Sequence, residues 1–132
     1  QPDHQSACYS AVEMIVATGR SKAALQYLQA QYPRMRQHPN TAYQFWLFKA
    51  QVLRQVGDIS EAISAARRAL GFKRNDRTAL SMLIRLYIEI DDRNAAQNAM
   101  TRLALSTKDK KTDKLYLELS TAVTELSSRL HR

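Results

Sequence analysis

One stretch decides the fold: Tyr43 to Leu70, YQFWLFKAQVLRQVGDISEAISAARRAL. Gly57-Asp58 is a turn dipeptide between two helix-forming runs. Asp58 and Glu61, three residues later, form a plausible N-cap and capping-box pair for the second run. Alanines at the close contacts let two helix backbones approach, and bulkier side chains opposite them fill the remaining gap. The stretch therefore predicts an antiparallel helix pair.

Similar turns recur along the chain, at Gly19-Arg20, Gly57-Asp58 and Asp91-Asp92. The last two are 34 residues apart and the first two are 38 apart. A period of this size is typical of helical repeat proteins. The four extra residues fall in the segment 32–39, whose two prolines predict a loop rather than a helix.

The middle segment resembles a tetratricopeptide repeat read in order. The bulky first-helix positions carry Trp46 and Leu53, the small contact positions carry Ala50 and Ala62, and Gly57 supplies the turn. The third segment resembles the repeat less closely, through Leu80, Ile84, Tyr87, Ala96, Met100 and Leu103. The first is weaker still, through Cys8, Val12, Ile15, Gly19, Ala24 and Leu28. Terminal repeats are expected to be atypical because one side faces solvent.

The resemblance covers roughly residues 5–107. It implies an all-α fold, an α-solenoid of three antiparallel helix pairs in a right-handed superhelix, within a single domain of residues 1–132. The repeats span about 5–42, 43–76 and 77–110. We predict helices at about 6–18, 21–32, 40–56, 59–71, 76–90, 92–106 and 110–130.

The last predicted helix is amphipathic. Its apolar residues recur at intervals of four, four, three and four: Leu115, Leu119, Val123, Leu126 and Leu130. An open array of helix pairs needs such a helix to cover its last exposed face. We therefore expect a C-terminal capping helix.

The charge is basic, with a net value of +8, and it is unevenly distributed. No acidic residue lies between Glu13 and Asp58, and two further basic groups follow at 67–77 and 108–114. The favoured interpretation is solvated helix faces and basic helix ends. Attraction of an acidic protein, a membrane surface or nucleic acid is the alternative.

The single cysteine, Cys8, allows no internal disulfide, so the fold must rest on packing. No signal peptide is visible, and no apolar run approaches the roughly 20 residues that span a bilayer. The chain begins at Gln1, so we expect a domain excised from a longer protein. The compartment stays open, with the cytoplasm slightly favoured.

We find no catalytic constellation, and we predict neither a cofactor nor a metal site. His4 and His131 lie near the chain ends and His38 lies in the proline-flanked loop, so the three histidines are far apart in the sequence. Cys8 stands at a core position of its predicted helix, where a small buried side chain is the favoured interpretation. An enzyme is not expected.

Aromatic residues crowd the start of one helix, accompanied by two basic residues: Tyr43, Phe45, Trp46 and Phe48, with Lys49 and Arg54. Base stacking is one interpretation of this pattern. Packing is favoured for Trp46, because it stands at the core position of the repeat. Phe45 and Phe48 cannot both share its face, so we expect one to cover the neighbouring helix and the other to be partly exposed.

The resemblance also implies a concave binding face, built from the first helix of each repeat. Carried over position by position, it consists of Ser6, Tyr9, Glu13, Val16, Ala17, Gln44, Leu47, Gln51, Arg54, Gln55, Thr78, Ser81, Arg85, Ile88 and Glu89. Its amides and hydroxyls suit an extended peptide backbone, its arginines suit carboxylates, and Leu47 and Ile88 would anchor apolar groups. Relatives that clamp a chaperone's acidic C-terminal tail carry Lys and Asn where Tyr9 and Glu13 stand, so we expect no such clamp.

We therefore expect a protein-interaction module whose groove takes a peptide or helix, an acidic one being a candidate, from a partner protein. The alternatives are a structural or oligomerising module that uses its convex face or terminal helix, and, less favoured, a nucleic-acid-binding module that uses its basic surface. The partner, the process and the oligomeric state are left open.

Overall fold

The computed structural model describes residues 19–130, in which every regular element is an α-helix. The helices are α1 (Ser21–Met35), α2 (Pro39–Val56), α3 (Ile59–Phe72), α4 (Arg77–Glu89), α5 (Arg93–Leu105) and α6 (Lys114–Leu130). The all-α prediction is confirmed. The predicted helix at about 6–18, with Cys8, lies outside the described residues.

The chain divides into two compact units, residues 1–72 and 73–132. Their boundary falls near the predicted border between the second and third repeats. In the first unit α2 packs against both α1 and α3, and in the second α6 packs against both α4 and α5. That residues 1–132 form one domain stays a prediction.

The α2–α3 pair is held by small side chains. Ala50 on α2 and Ala62, Ala66 and Ala69 on α3 are fully buried. Because alanine adds only one carbon beyond the backbone, it allows two helices to approach closely. The contact positions predicted at Ala50 and Ala62 are therefore found in the core.

The aromatic residues of α2 are distributed differently from the prediction. Phe45 and Phe48 are both buried, with 1% and 2% of their surface exposed, whereas Trp46 is only half-buried. The cause is the position of α2 between two neighbours, which requires a wide apolar stripe rather than one face. The expectation that one phenylalanine would be partly exposed was wrong.

The proline-rich segment is also more helical than predicted. Pro33 lies inside α1, which runs on to Met35, and Pro39 is the first residue of α2. Burial of the Met35 side chain, 1% exposed, offsets the backbone hydrogen bond that Pro33 cannot donate. At the first position of a helix the missing N–H of proline costs nothing. The predicted loop is therefore reduced to residues 36–38.

Two turns 34 residues apart close in the same way. At the first, Gly57 N–H donates to the Arg54 carbonyl at 3.1 Å and Asp58 N–H to the Leu53 carbonyl at 3.0 Å. At the second, the equivalent bonds run from Asp91 to Ile88 at 3.1 Å and from Asp92 to Tyr87 at 2.9 Å. Gly57 and Asp91 both adopt the left-handed conformation, with φ of 95° and 58°. The two predicted turns are thus structurally equivalent.

Asp58 and Asp92 both cap the helix that follows their turn. Asp58 Oδ1 accepts the Glu61 N–H at 3.3 Å, and Asp92 Oδ1 accepts the Ala95 N–H at 3.2 Å. A full capping box at Asp58 would also require its own N–H to bond Glu61, but that N–H donates to Leu53. Half of the predicted box therefore forms.

The terminal helix α6 buries most of the predicted stripe. Leu119, Val123 and Leu126 are buried, whereas Leu130 is 47% exposed. The helix begins at Lys114 rather than near 110, because Asp113 Oδ1 accepts the Tyr116 N–H at 3.0 Å and caps it. Within the second unit, α6 covers the α4–α5 pair as a capping helix is expected to do.

Candidate functional site

The predicted binding positions on α2 are mostly accessible, with one correction. Gln44, Gln51 and Arg54 are half-buried and Gln55 is exposed. Leu47, predicted to be an apolar anchor for a ligand, is only 5% exposed. It belongs to the wide buried stripe of a helix that packs on two sides, so its side chain serves the core instead.

The predicted positions on α4 are accessible to different degrees. Arg85 is exposed, and Ser81 and Ile88 are half-buried. The Ser81 hydroxyl already donates to the carbonyl of Thr78 at 2.9 Å, within the same helix. Arg85 and Ile88 therefore offer a charge and an apolar surface one turn apart. Tyr9 and Glu13, with the other predicted positions of the first repeat, lie outside the described residues.

A cluster of three aromatic rings lies in the first unit, formed by Tyr32 on α1 with Phe45 and Trp46 on α2. The Tyr32 and Phe45 ring centroids are 4.6 Å apart. Trp46 forms edge-to-face contacts with both rings, with centroids 5.9 Å from Tyr32 and 4.9 Å from Phe45. Edge-to-face contacts at these distances stabilise aromatic packing by about 0.5–1.5 kcal/mol each. The cluster joins α1 to α2.

Three cations lie over these rings, one from α2, one from α3 and one from the residue that follows α1. Arg68 Cζ on α3 is 4.7 Å from the Trp46 ring centroid, and Lys49 Nζ on α2 is 5.1 Å from it. Arg36, directly after α1, is 5.9 Å from the Tyr32 ring centroid. Each distance lies within the range of a cation–π contact, roughly 6 Å. The set Tyr32, Arg36, Trp46, Lys49 and Arg68 is referred to below as the Trp46 surface.

Only one contact of this surface is predictable from the sequence. Lys49 follows Trp46 by three residues, so a contact between them is readable from helical spacing. Arg68 lies on another helix, and its approach to Trp46 depends on how α3 packs against α2. No local pattern predicts that contact.

The second unit has a polar cluster where α4, the end of α5 and α6 meet. Arg77 donates to Thr107 Oγ1 and to Asp113 Oδ1, both at 2.9 Å. Thr107 is buried, and its hydroxyl donates to the Leu103 carbonyl at 2.8 Å. The backbone N–H of Tyr116 and then the Arg77 guanidinium hold the pKa of Asp113 below its ordinary value. This cluster ties the helices of the unit together.

Among residues 19–130, no three side chains of His, Cys, Asp or Glu lie close enough together to hold a metal ion. Nor is any helix there both long enough and apolar enough to cross a membrane.

Known structures share this fold. PcrH from Pseudomonas aeruginosa superposes with a TM-score of 0.76 at 12% identity, over 96% of this chain and 94% of PcrH. PcrH in complex with the chaperone binding region of PopD gives a TM-score of 0.77 at 12% identity, over 98% and 95%.

The Hsp90 co-chaperone Cns1 from Saccharomyces cerevisiae gives a TM-score of 0.79 at 10% identity. The match covers 98% of this chain but 41% of the Cns1 chain, so the chain spans about two fifths of that protein. At such low identities these likenesses show the fold alone.

Sequence comparison identifies the family. No curated protein is significantly similar to the chain. The family model for the tetratricopeptide repeat, however, matches residues 4–130, which is nearly the whole chain. The match includes all six described helices, α1 to α6. It confirms the resemblance carried by Trp46, Ala50 and Gly57. The chain belongs to the tetratricopeptide repeat family.

Proposed function

We propose that this chain is a protein-interaction module that binds a peptide or helix of another protein. The proposal rests on the structure of PcrH in complex with the chaperone binding region of PopD. PcrH shares this fold along almost its whole length. A fold of this size and type is thus able to hold a segment of a second protein. Membership of the tetratricopeptide repeat family supports the same conclusion.

The proposed contacts are the accessible positions on α2 and α4. Gln44, Gln51 and Gln55 carry amides that can bond an extended backbone, and Arg85 can bond a carboxylate. Ile88 offers apolar surface beside Arg85. Leu47 is left out of this set because it is buried.

The test uses the single variants Gln51→Ala and Arg85→Ala, with Arg67→Ala as an exposed control on α3. The chain is used to isolate partners by affinity purification, and binding of the recovered partner is then measured by calorimetry. Each test variant should weaken binding by about 1 kcal/mol or more, roughly fivefold, and the control should not. If both bind like wild type, these positions are not the contact surface.

A second candidate is a structural or oligomerising module that uses the end of the second unit. Leu105, the last residue of α5, is 76% exposed, and Leu117 on α6 is 45% exposed. Large exposed apolar side chains often mark contact surfaces. Light scattering of wild type and of the variants Leu105→Ser and Leu117→Ser distinguishes the candidates. An oligomer that dissociates in these variants, together with unchanged partner binding by Arg85→Ala, would favour this second function.

A further inference from the structure

The cations of the Trp46 surface are held by rings rather than by carboxylates. Within residues 19–130, no ion pair is formed by Arg36, Lys49 or Arg68. Arg36 and Arg68 are exposed, and Lys49 is half-buried. Since a cation–π contact leaves the N–H donors of the cation without a hydrogen-bond acceptor, these donors stay available to a ligand.

The surrounding part of the chain strengthens this positive character. Residues 19–72 contain eight Lys or Arg residues and two acidic residues, Asp58 and Glu61. Asp58 lies at the turn between α2 and α3 and caps α3, and Glu61 lies in the first turn of α3. A surface of one sign attracts groups of the opposite sign and speeds their association.

The rings also order the cations in advance. A lysine or arginine side chain loses rotamer entropy when a ligand fixes it, and this loss weakens binding. Contacts of 4.7 and 5.1 Å with Trp46 already restrict Arg68 and Lys49. A planar guanidinium that is held in place can meet a carboxylate with two parallel hydrogen bonds.

We propose that the Trp46 surface binds an acidic segment of a partner protein, with Arg68 and Lys49 bonding its carboxylates. The Trp46 surface includes none of the residues proposed above as contacts on α2 and α4. The inference rests on the proposed function only in that the ligand is a protein.

Single-stranded nucleic acid is the other ligand that basic and aromatic side chains suggest. Binding by stacking requires an open ring face for the base. Arg68 and Lys49 lie over the Trp46 ring, and Tyr32 and Phe45 pack against the same ring in edge-to-face contacts. The geometry therefore favours carboxylates, which approach the cations and need no free ring.

The experiment uses Trp46 as its reporter, because it is the only tryptophan in the chain. The probe is a synthetic 12-residue peptide of Glu, Asp and Leu, and the control peptide carries Gln and Asn at the acidic positions. We expect the acidic peptide to change Trp46 emission in a saturable way that weakens as salt rises. The neutral peptide should give no saturable change.

Arg68→Gln and Lys49→Gln should each weaken binding of the acidic peptide roughly fivefold or more. Arg67→Gln is the matched control, because it removes the same charge from the adjacent exposed position of α3. This control should stay within about twofold of wild type, as expected for a charge outside the contact. Circular dichroism confirms that each variant keeps its helical content.

Three results would overturn the inference. Equal weakening by Arg67→Gln and Arg68→Gln would mean that only net charge matters, and absence of binding would remove the site altogether. Saturable binding of oligouridine at Trp46, with none of the acidic peptide, would assign the surface to nucleic acid. The contact positions proposed on α2 and α4 are tested separately, and they are wrong if the natural partner binds Gln51→Ala and Arg85→Ala like wild type.

Discussion

Arg77 and Asp113 join the start of α4 to the start of α6 through one ion pair, with a guanidinium nitrogen 2.9 Å from Asp113 Oδ1. The same carboxylate oxygen accepts the Tyr116 N–H at 3.0 Å, so Asp113 both caps α6 and pairs with α4. Residues 36 positions apart in sequence are thereby fixed together. Both contacts are strongest when this carboxylate is ionised.

This arrangement predicts a pH dependence of stability. The pKa of Asp113 is lowered in the folded state, first by the Tyr116 N–H and then by Arg77. A carboxyl group with a lowered pKa contributes stability above its unfolded pKa, near 3.9, and loses that contribution as pH falls through its folded pKa. We expect Asp113→Asn to be less stable than wild type at pH 7, and the difference to shrink below about pH 4.

Urea denaturation at a series of pH values measures this difference. The control is Asp109→Asn. Among the described residues, the Asp109 carboxylate accepts a hydrogen bond only from the Lys111 N–H, two residues away. A gap between wild type and Asp113→Asn that stayed constant from pH 7 to pH 3 would show that the charge of Asp113 contributes nothing.

The turn at Gly57 gives a second prediction. A Cβ at Gly57 would meet no atom within 4 Å, so only the left-handed backbone, with φ of 95°, opposes a side chain there. That conformation costs an L-residue about 1–2 kcal/mol, part of which is offset because alanine restricts the unfolded chain more than glycine. Gly57→Ala should lower the free energy of unfolding by about 1 kcal/mol. Asparagine, which tolerates this conformation, should cost less, and thermal unfolding of both variants checks the order.

Asp91, in the equivalent turn, provides a matched third prediction. Its φ is 58°, and its carboxylate pairs with Arg129 in an ion pair whose side chains are more than half exposed. Both Asp91→Gly and Asp91→Ala remove this pair, so their difference isolates the backbone. The glycine variant should be more stable than the alanine variant by about 1 kcal/mol. Equal stability of the two would mean that the backbone at Asp91 carries no strain, and Arg129→Gln measures the ion pair separately.

The features that the sequence predicts well are those that local chemistry decides. Gly57-Asp58 and Asp91-Asp92 were recognised because left-handed residues and N-caps use side chains close in sequence. The start of α6 was predicted near residue 110 but lies at Lys114. Asp109 and Asp113 are both residues that can cap the N-terminus of a helix. The choice between them involves Arg77, which bonds Asp113 from 36 residues away.

The residues of the candidate site were likewise predictable only where local sequence decides their position. Gln51 and Arg54 are half-buried and Arg85 is exposed, so all three stay predicted contacts, whereas the burial of Leu47 follows from how many neighbours α2 has. Arg68 reaches Trp46 only because α3 packs back against α2. Helical spacing gives the face of a helix, whereas the number and identity of its neighbours come from tertiary packing.

The close contact between α2 and α3 gives the last prediction. Ala62 is fully buried at this contact, and Ala96 takes the same place in α5. Leucine at position 62 adds three carbons to a fully buried contact between two helices. Overpacking of this kind typically lowers the free energy of unfolding by about 1–3 kcal/mol. Ser64→Leu is the control, because Ser64 is exposed on the same helix and gains the same apolar surface. Urea unfolding should show Ala62→Leu destabilised and Ser64→Leu close to wild type. Equal stability of the two variants would mean that α2 and α3 do not pack through this alanine.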